Sequence, residues 1–331
     1  MGTAVEISTR KVLSASRPGN GLRFARAAGK RCLELVLLLV TLSTLLFFLL
    51  RASGDPAVTL AGADADAETV QAIRVAYGFD RPLFVQYLSY MSHLARGDFG
   101  LSLANSEPAM KAVLWAMPAT VSLALLAMLL TVVIASPIGA WLGAAPDRPE
   151  RRATAVILYI LQGTPGFVVA LVLIQIFAVQ AGWLPAIGRS GLASWVLPTV
   201  SLSLFLAPKL ARVLAANVGE AFKEDYVRTA RAAGAGEGQI LVRHVLPNAL
   251  LGSIALVGSQ FAFLLGGVVV IETIFAWPGL GRLLVQSTLS LDFPVVQAAA
   301  LAVAVLVFAA GMLTDLLFLA ADPRLRTQGD A

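Results

Sequence analysis

Long uncharged runs separated by short charged clusters set the pattern of this chain. Six runs approach or exceed the ~20 apolar residues that carry a helix across a bilayer. The first is Leu33 to Leu50, broken only by Glu34. The second lies between Lys111 and Asp147, and the third between Arg152 and Arg189. The fourth runs from Ser190 to Pro208. The fifth lies between Arg243 and Glu272, and the sixth between Asp292 and Asp315. Lipid cannot satisfy open backbone groups, and no ~10-residue alternating barrel pattern is present. The pattern therefore predicts an all-α, polytopic membrane protein with six transmembrane helices.

Composition agrees. The chain is 58% hydrophobic and 14% charged, against about 25% charged in soluble domains. The net charge of +5 would admit a nucleic-acid partner, but its distribution opposes one. With the N-terminus inside, the cytoplasmic segments hold 18 of the 25 Lys and Arg residues and the outside segments seven. This bias places both termini in the cytoplasm. The single cysteine, Cys32, sits at the cytoplasmic mouth of the first span and says little about redox compartment. Arg51, rather than a small-residue cleavage site, follows the first span, so it reads as a retained signal anchor.

Residues 1–31 form a basic cytoplasmic tail, disordered or lying along the anionic inner leaflet. Residues 32–326 form the transmembrane domain and 327–331 a C-terminal tail. Residues 51–111 form the sizeable external segment. Glu68 to Tyr77 has a helical pattern, Arg81-Pro82 breaks it, and Phe84 to Leu94 is helical again. The segment either caps the pore, touches an external partner, or forms a short interfacial helix. Pro118, Pro137, Pro165, Pro198 and Pro208 interrupt spans two to five. Together they fit a bundle that must flex, although proline is common in membrane helices.

The segment 209–247 between spans four and five is charged. On a helix, Phe222, Tyr226, Thr229 and Ala233 fall on one stripe and Glu224, Arg228 and Arg231 opposite it. Gly234, Gly236 and Gly238 stop or bend this helix, and a second short one, Gln239 to Leu246, ends at Pro247. Two short helices with a glycine joint suit a lever moved by a partner; a solvated charged loop is the plain alternative.

The segment also carries a family pattern. It resembles the cytoplasmic loop of permease subunits of bacterial ABC importers: Glu-Ala-Ala, three residues, Gly, nine residues, then Ile-x-Leu-Pro. Gly234 and Leu246-Pro247 match in spacing; Arg228-Thr229-Ala230 stands for Glu-Ala-Ala and His244 for Ile. The run Asp225 to Gly234 is similar to the version in the dipeptide/oligopeptide/nickel branch. Gly54-Asp-Pro-Ala57, Asp80 to Tyr87, Arg96 to Ser102, Glu272 to Arg282, Asp292 to Gln297 and Asp322-Pro-Arg324 agree with that branch. The external elements resemble the first of the two permeases in such systems.

The resemblance implies a type I ABC importer permease fold in a bacterial inner membrane. It implies one half of a heterodimeric pore, completed by a second permease, two ATP-binding subunits and an extracytoplasmic solute-binding protein. Asp225, Tyr226, Arg228, Thr229, Ala230, Arg231, Gly234, Leu246 and Pro247 would couple the pore to an ATPase. The branch spans peptides, nickel chelates, glutathione and some sugars or opines; peptide is the favoured reading.

The chain itself lacks a phosphate loop, because none of its five lysines sits in a Gly-x-x-x-x-Gly-Lys context. It is read as a transport subunit and no enzyme, with ATP and Mg hydrolysed by partners and no cofactor of its own. Two histidines and one cysteine make no recognisable metal site. Glu272 is an intramembrane or interfacial acid, a residue type that is costly in lipid. Glu272, Trp277, Pro278, Gly279 and Gly281 are expected in a loop that lines the outer gate, or in one that Glu272 anchors by hydrogen bonds. Asp315 is expected to pair with a basic residue such as Arg212. An ATP-independent secondary transporter or channel, and a membrane scaffold, are the alternative functions.

Overall fold

The computed structural model describes residues 20–62, 65–145 and 148–321. The terminal tails at 1–19 and 327–331 and the Asp322-Pro-Arg324 motif lie outside the described residues. Helix α1 spans Asn20–Ser53. Its Ala-, Leu-, Arg- and Lys-rich first turns are good helix formers, so residues 20–31 extend the first span instead of forming an irregular tail. The external segment holds α2 (Pro56–Ala61), α3 (Ala67–Ala76) and α4 (Leu83–Leu94). Asp55 and Asp66 cap the first two by accepting from the Ala57 and Thr69 amides at 2.9 Å. Tyr87 and Tyr90 of α4 pack on Phe47 of α1, with ring centroids 5.5 Å apart in each pair.

Among the described residues, five helices are long and apolar enough to cross a membrane: Gly29–Ala52, Ala109–Ala144, Leu192–Ala221, Glu237–Gly267 and Phe293–Phe318. The expected third span is instead a pair, α6 (Pro149–Gly163) and α7 (Gly166–Leu173, continued by a π-helical turn to Gln180), bent by 100°. The cause is local. Pro165 has no N–H and pushes Thr164 into an extended conformation, φ −86° and ψ 124°. If the bent pair counts as one span, the chain has six.

The fourth span also differs from expectation. Helix α8 runs Val196–Ala221, so Pro208 lies inside it and does not end it. Residues 209–221, expected in a loop, are the C-terminal half of α8. Helix α5 (Ala109–Ala144) likewise runs through Pro118 and Pro137. Membrane helices tolerate such prolines because neighbouring groups re-satisfy the freed carbonyls.

Helices α5 and α8 form the centre of the bundle, with α11 (Leu246–Gly267) and α14 (Phe293–Ala321) beside them and α1 outside α14. Lipid supplies no hydrophobic drive between helices, so close packing holds them. A Cβ on Gly139 would lie 2.6 Å from the Ala211 carbonyl oxygen, and one on Gly143 2.4 Å from that of Ala215. These two glycines, four apart on one face of α5, set its approach to α8. Gly143→Leu is therefore expected to force α5 and α8 apart. The purified protein should lose several degrees of thermal stability in detergent, by fluorescence-detected size exclusion, whereas Gly163→Leu, in open space, should not.

At the other end, α13 (Leu280–Leu289) packs on α5, and α12 (Val269–Ile274) packs on α13, α7 and α8. Asp315 pairs with Arg31 of α1, not with Arg212. The two are brought together because α14 packs against α1. Arg212 instead lies 3.8 Å from the Tyr159 ring centroid and donates to Gln162 of α6.

Candidate functional site

Between α8 and α11 stands a separate short helix, α9 (Asp225–Ala232). Glu224 is extended, φ −68° and ψ 150°, and breaks the phase between the end of α8 and α9. The expected stripe therefore fails. Phe222 belongs to the end of α8, and Tyr226, Thr229 and Ala233 of the new helix are exposed. The face that turns inward is Val227, fully buried, with Ala230 beside it. Val227 packs in a cluster with Leu214 and Val218 of α8 and Ala249 of α11. Helix α9 thereby shares one apolar cluster with the C-terminal end of α8 and the start of α11. Val227→Ala is expected to cost roughly 2 kcal/mol of local stability. Faster amide hydrogen exchange confined to residues 222–240 would show it.

The outward face is charged. Arg228 and Asp225 pair at 3.3 Å and their side chains are largely exposed. Arg231 makes a two-pronged contact with Glu237, Nε to Oε1 at 2.7 Å and Nη2 to Oε2 at 3.1 Å. That bond raises the Arg231 pKa above its ordinary value. It also ties α9 to the first residue of α10 (Glu237–Ile240).

The joint itself has a defined geometry. Gly234 has φ +85°, in the left-handed region. Its N–H donates to the Arg231 carbonyl at 3.1 Å, and the Ala235 N–H to the Ala230 carbonyl at 3.1 Å. This pair of bonds is a Schellman motif with Gly234 at the left-handed position. Gly236, by contrast, has ordinary extended φ and ψ, −71° and 152°. The second short helix does not end at Pro247. A π-helical turn, Leu241–Val245, joins α10 directly to α11, whose first turn contains Pro247. Pro247 lacks an N–H and its ring crowds the carbonyl four residues back, which accounts for the widened turn. So Leu246 and Pro247 begin the fifth span, and α10 is its rigid extension.

The second predicted cluster lies at the opposite end. Glu272 is fully buried. Its Oε1 accepts from Thr120 Oγ1 at 2.6 Å, and its Oε2 from the Gly281 and Arg282 amides at 2.7 and 3.1 Å. The Leu280 amide donates in turn to Thr120 Oγ1 at 2.7 Å. The carboxylate thus caps the first turn of α13 from another helix, where the dipole favours negative charge. A Cβ on Gly279 would meet Glu272 Oε1 at 2.1 Å, and one on Gly281 would meet Val269 Cα at 2.5 Å. Trp277 is fully buried and donates from Nε1 to the Ala119 carbonyl at 3.0 Å. Glu272 and Trp277 are therefore enclosed, while Pro278 and Gly279 line an open cavity.

Two buried polar groups escaped the sequence reading. Thr120 bridges Glu272 and α13. Asp292 is nearly buried and accepts from Ser102 Oγ and from the Leu103 amide at 3.1 Å, which ties the 101–108 turn to the start of α14. Asp292-Phe-Pro was visible as a motif; nothing in it named Ser102 as partner. Among the described residues, no three His, Cys, Asp or Glu side chains stand together as a metal site.

A family model described as "Binding-protein-dependent transport system inner membrane component" matches residues 135–327. A second, for the N-terminal part of such components, matches residues 24–124. The chain belongs to this family. It is 36% identical over 298 residues to the glutathione transport system permease protein GsiC of Escherichia coli (strain K12), covering 90% of this chain and 97% of that protein. GsiC of Salmonella choleraesuis (strain SC-B67) is 35% identical over 302 residues, with the same coverage. A chain of the MetNI methionine ABC transporter in an inward-facing conformation superposes with TM-score 0.55 at 22% identity, over 66% of this chain and 99% of that one. An amino acid ABC transporter chain superposes with TM-score 0.51 at 18% identity, over 63% and 94%. These last two speak for the fold alone.

The protein is an ABC importer permease of the inner membrane, with the type I fold. Family membership sets aside the secondary-transporter and scaffold readings. It also implies ATPase and binding-protein partners. Its relatives are permease subunits.

Proposed function

We propose that this chain is one half of a heterodimeric pore that imports short peptides, of which glutathione is one type. Both termini lie in the cytoplasm, and α9 is the coupling helix that sits in a groove of one of two ATP-binding subunits. The observation that carries this reading is the build of α9. A charged, exposed face stands on a buried Val227 that shares one apolar cluster with the ends of two spans. A push on such a rigid element moves both spans together. The similarity to glutathione permeases supports the peptide class. An extracytoplasmic binding protein delivers the solute to the end that carries α12 and α13. Opening at that end involves the 272–281 turn, with Glu272 holding the turn in shape and Pro278 and Gly279 facing the pathway.

The test is reconstitution of the chain with its second permease, both ATPases and the binding protein in liposomes. Labelled glutathione and trialanine are the probes. Uptake is expected to require both ATP and the binding protein. Uptake that persists without either would overturn the reading.

A further inference from the structure

Beside the 272–281 turn lies an open cavity of about 510 Å³ between the start of α5 and the first turns of α13. Its walls carry Glu107, Lys111, Trp115, Gly279, Arg282 and Gln286. Trp115 is 76% exposed, a large flat face with no covering within this chain. The charges are arranged unevenly. Glu107 and Lys111 pair with each other at 2.7 Å. Arg282 has no carboxylate partner among the described residues. Its Nη1 donates to the Ala276 carbonyl, and Nε and Nη2 lie 3.2 and 3.3 Å from the Gln286 amide oxygen turned toward them. The cavity therefore holds two cations and one anion, with a net positive charge at its mouth. The backbone under Arg282 is fixed, because its amide is bonded to the buried Glu272 carboxylate. That bond aims the first turn of α13 at the cavity wall.

We propose that this cavity is a solute-binding station of the pathway, which takes the carboxylate end of a zwitterionic solute. Arg282 and Lys111 receive the carboxylate, Glu107 faces a cationic group, and the Trp115 ring covers an apolar portion. A guanidinium and an ammonium on low-dielectric walls raise the local concentration of anions. The station is a selectivity element within the permease, additional to recognition by the binding protein. This inference rests on the peptide reading for the identity of the solute, but its electrostatics can be tested without it.

The experiment uses the reconstituted complex with Cys32→Ser and Ala112→Cys in this chain, since Ala112 also lines the cavity. Labelling rates are compared for two methanethiosulfonates of similar size, one bearing a sulfonate and one a trimethylammonium. The sulfonate should react about tenfold faster relative to its rate with free cysteine. Lys111→Gln and Arg282→Gln should each lower that ratio several-fold, and Arg282→Lys should keep it. Trialanine should protect the thiol from labelling, and trialanine amide should not. Equal relative rates for the two reagents, or a ratio unmoved by both glutamine variants, would overturn the proposal. The Lys111 side chain is largely exposed and its ammonium pairs with Glu107, so its variant tests charge even if Arg282→Gln fails to fold. An intact anion preference in a complex that takes up no peptide would overturn the peptide reading and leave the carboxylate station standing.

Discussion

Gly234→Val is expected to leave the protein in the membrane at its normal level and to abolish ATP-driven uptake. The reason is confined to one backbone torsion. At φ +85° a residue with a Cβ pays about 1–2 kcal/mol, and a β-branched one more, because this region is a true outlier for it. Space is not the problem, since no atom lies within 4 Å of an added Cβ. The strained residue instead opens the two bonds to the Arg231 and Ala230 carbonyls. The end of α9 then frays, and Ala230 and Ala235 lose their place in the cluster around Val227. The spans on either side keep their own hydrogen bonds, so insertion is unaffected. Gly234→Asn should retain most activity, because asparagine tolerates the left-handed region. Gly236→Val should be near wild type, because φ −71° suits any residue. Immunoblots of membranes and uptake in the reconstituted complex measure both sides. Equal defects at 234 and 236 would mean that the loop, rather than this joint, is what matters.

Glu272→Ala is expected to destabilise the whole end that carries α12 and α13. It removes the acceptor for the Thr120 hydroxyl and for two amides at the start of α13. Buried donors left without partners cost about 1–3 kcal/mol each. A net loss of roughly 3 kcal/mol corresponds to a fall in melting temperature of about 4–5 °C for a chain of this size. Glu272→Gln keeps the shape but turns an amide NH2 toward another donor, so it should fall between wild type and alanine. Thr120→Val should reproduce part of the loss, and the Thr120–Glu272 double variant should be less than additive, because the two share one network. Thermal unfolding of the purified protein by fluorescence-detected size exclusion reads all four. A Glu272→Ala protein as stable as wild type would show that the cap contributes nothing.

Much of this molecule is legible in the order of its residues. Uncharged runs placed every helix that crosses by itself, because a bilayer demands length and apolarity whatever the packing. The turn at Gly234 was legible because turn chemistry acts within a few residues, whereas Pro247, read as the end of a short helix, lies in the first turn of α11. The same reasoning went wrong where continuity had to be assumed. Phe222 and Tyr226 were placed on one stripe, but Glu224 is extended and shifts the phase between two helices. Pro208 was read as an end, yet α8 runs through it, since in a packed membrane bundle a lost bond is made good by neighbours.

Partners distant in sequence were the part that periodicity could not supply. Asp315 found Arg31 across the α1–α14 contact, and Arg212 found Tyr159 and Gln162. Glu272 found Thr120, which sits 152 residues earlier. Each pairing depends on which helix faces which, and that choice is made by close approach at residues such as Gly139, Gly143 and Gly258. The sequence by itself determined that this is a helical membrane permease with a charged joint between two spans. The tertiary structure decided that Val227 seats the joint and that Glu272 caps a distant helix, because both depend on contacts that no local pattern specifies.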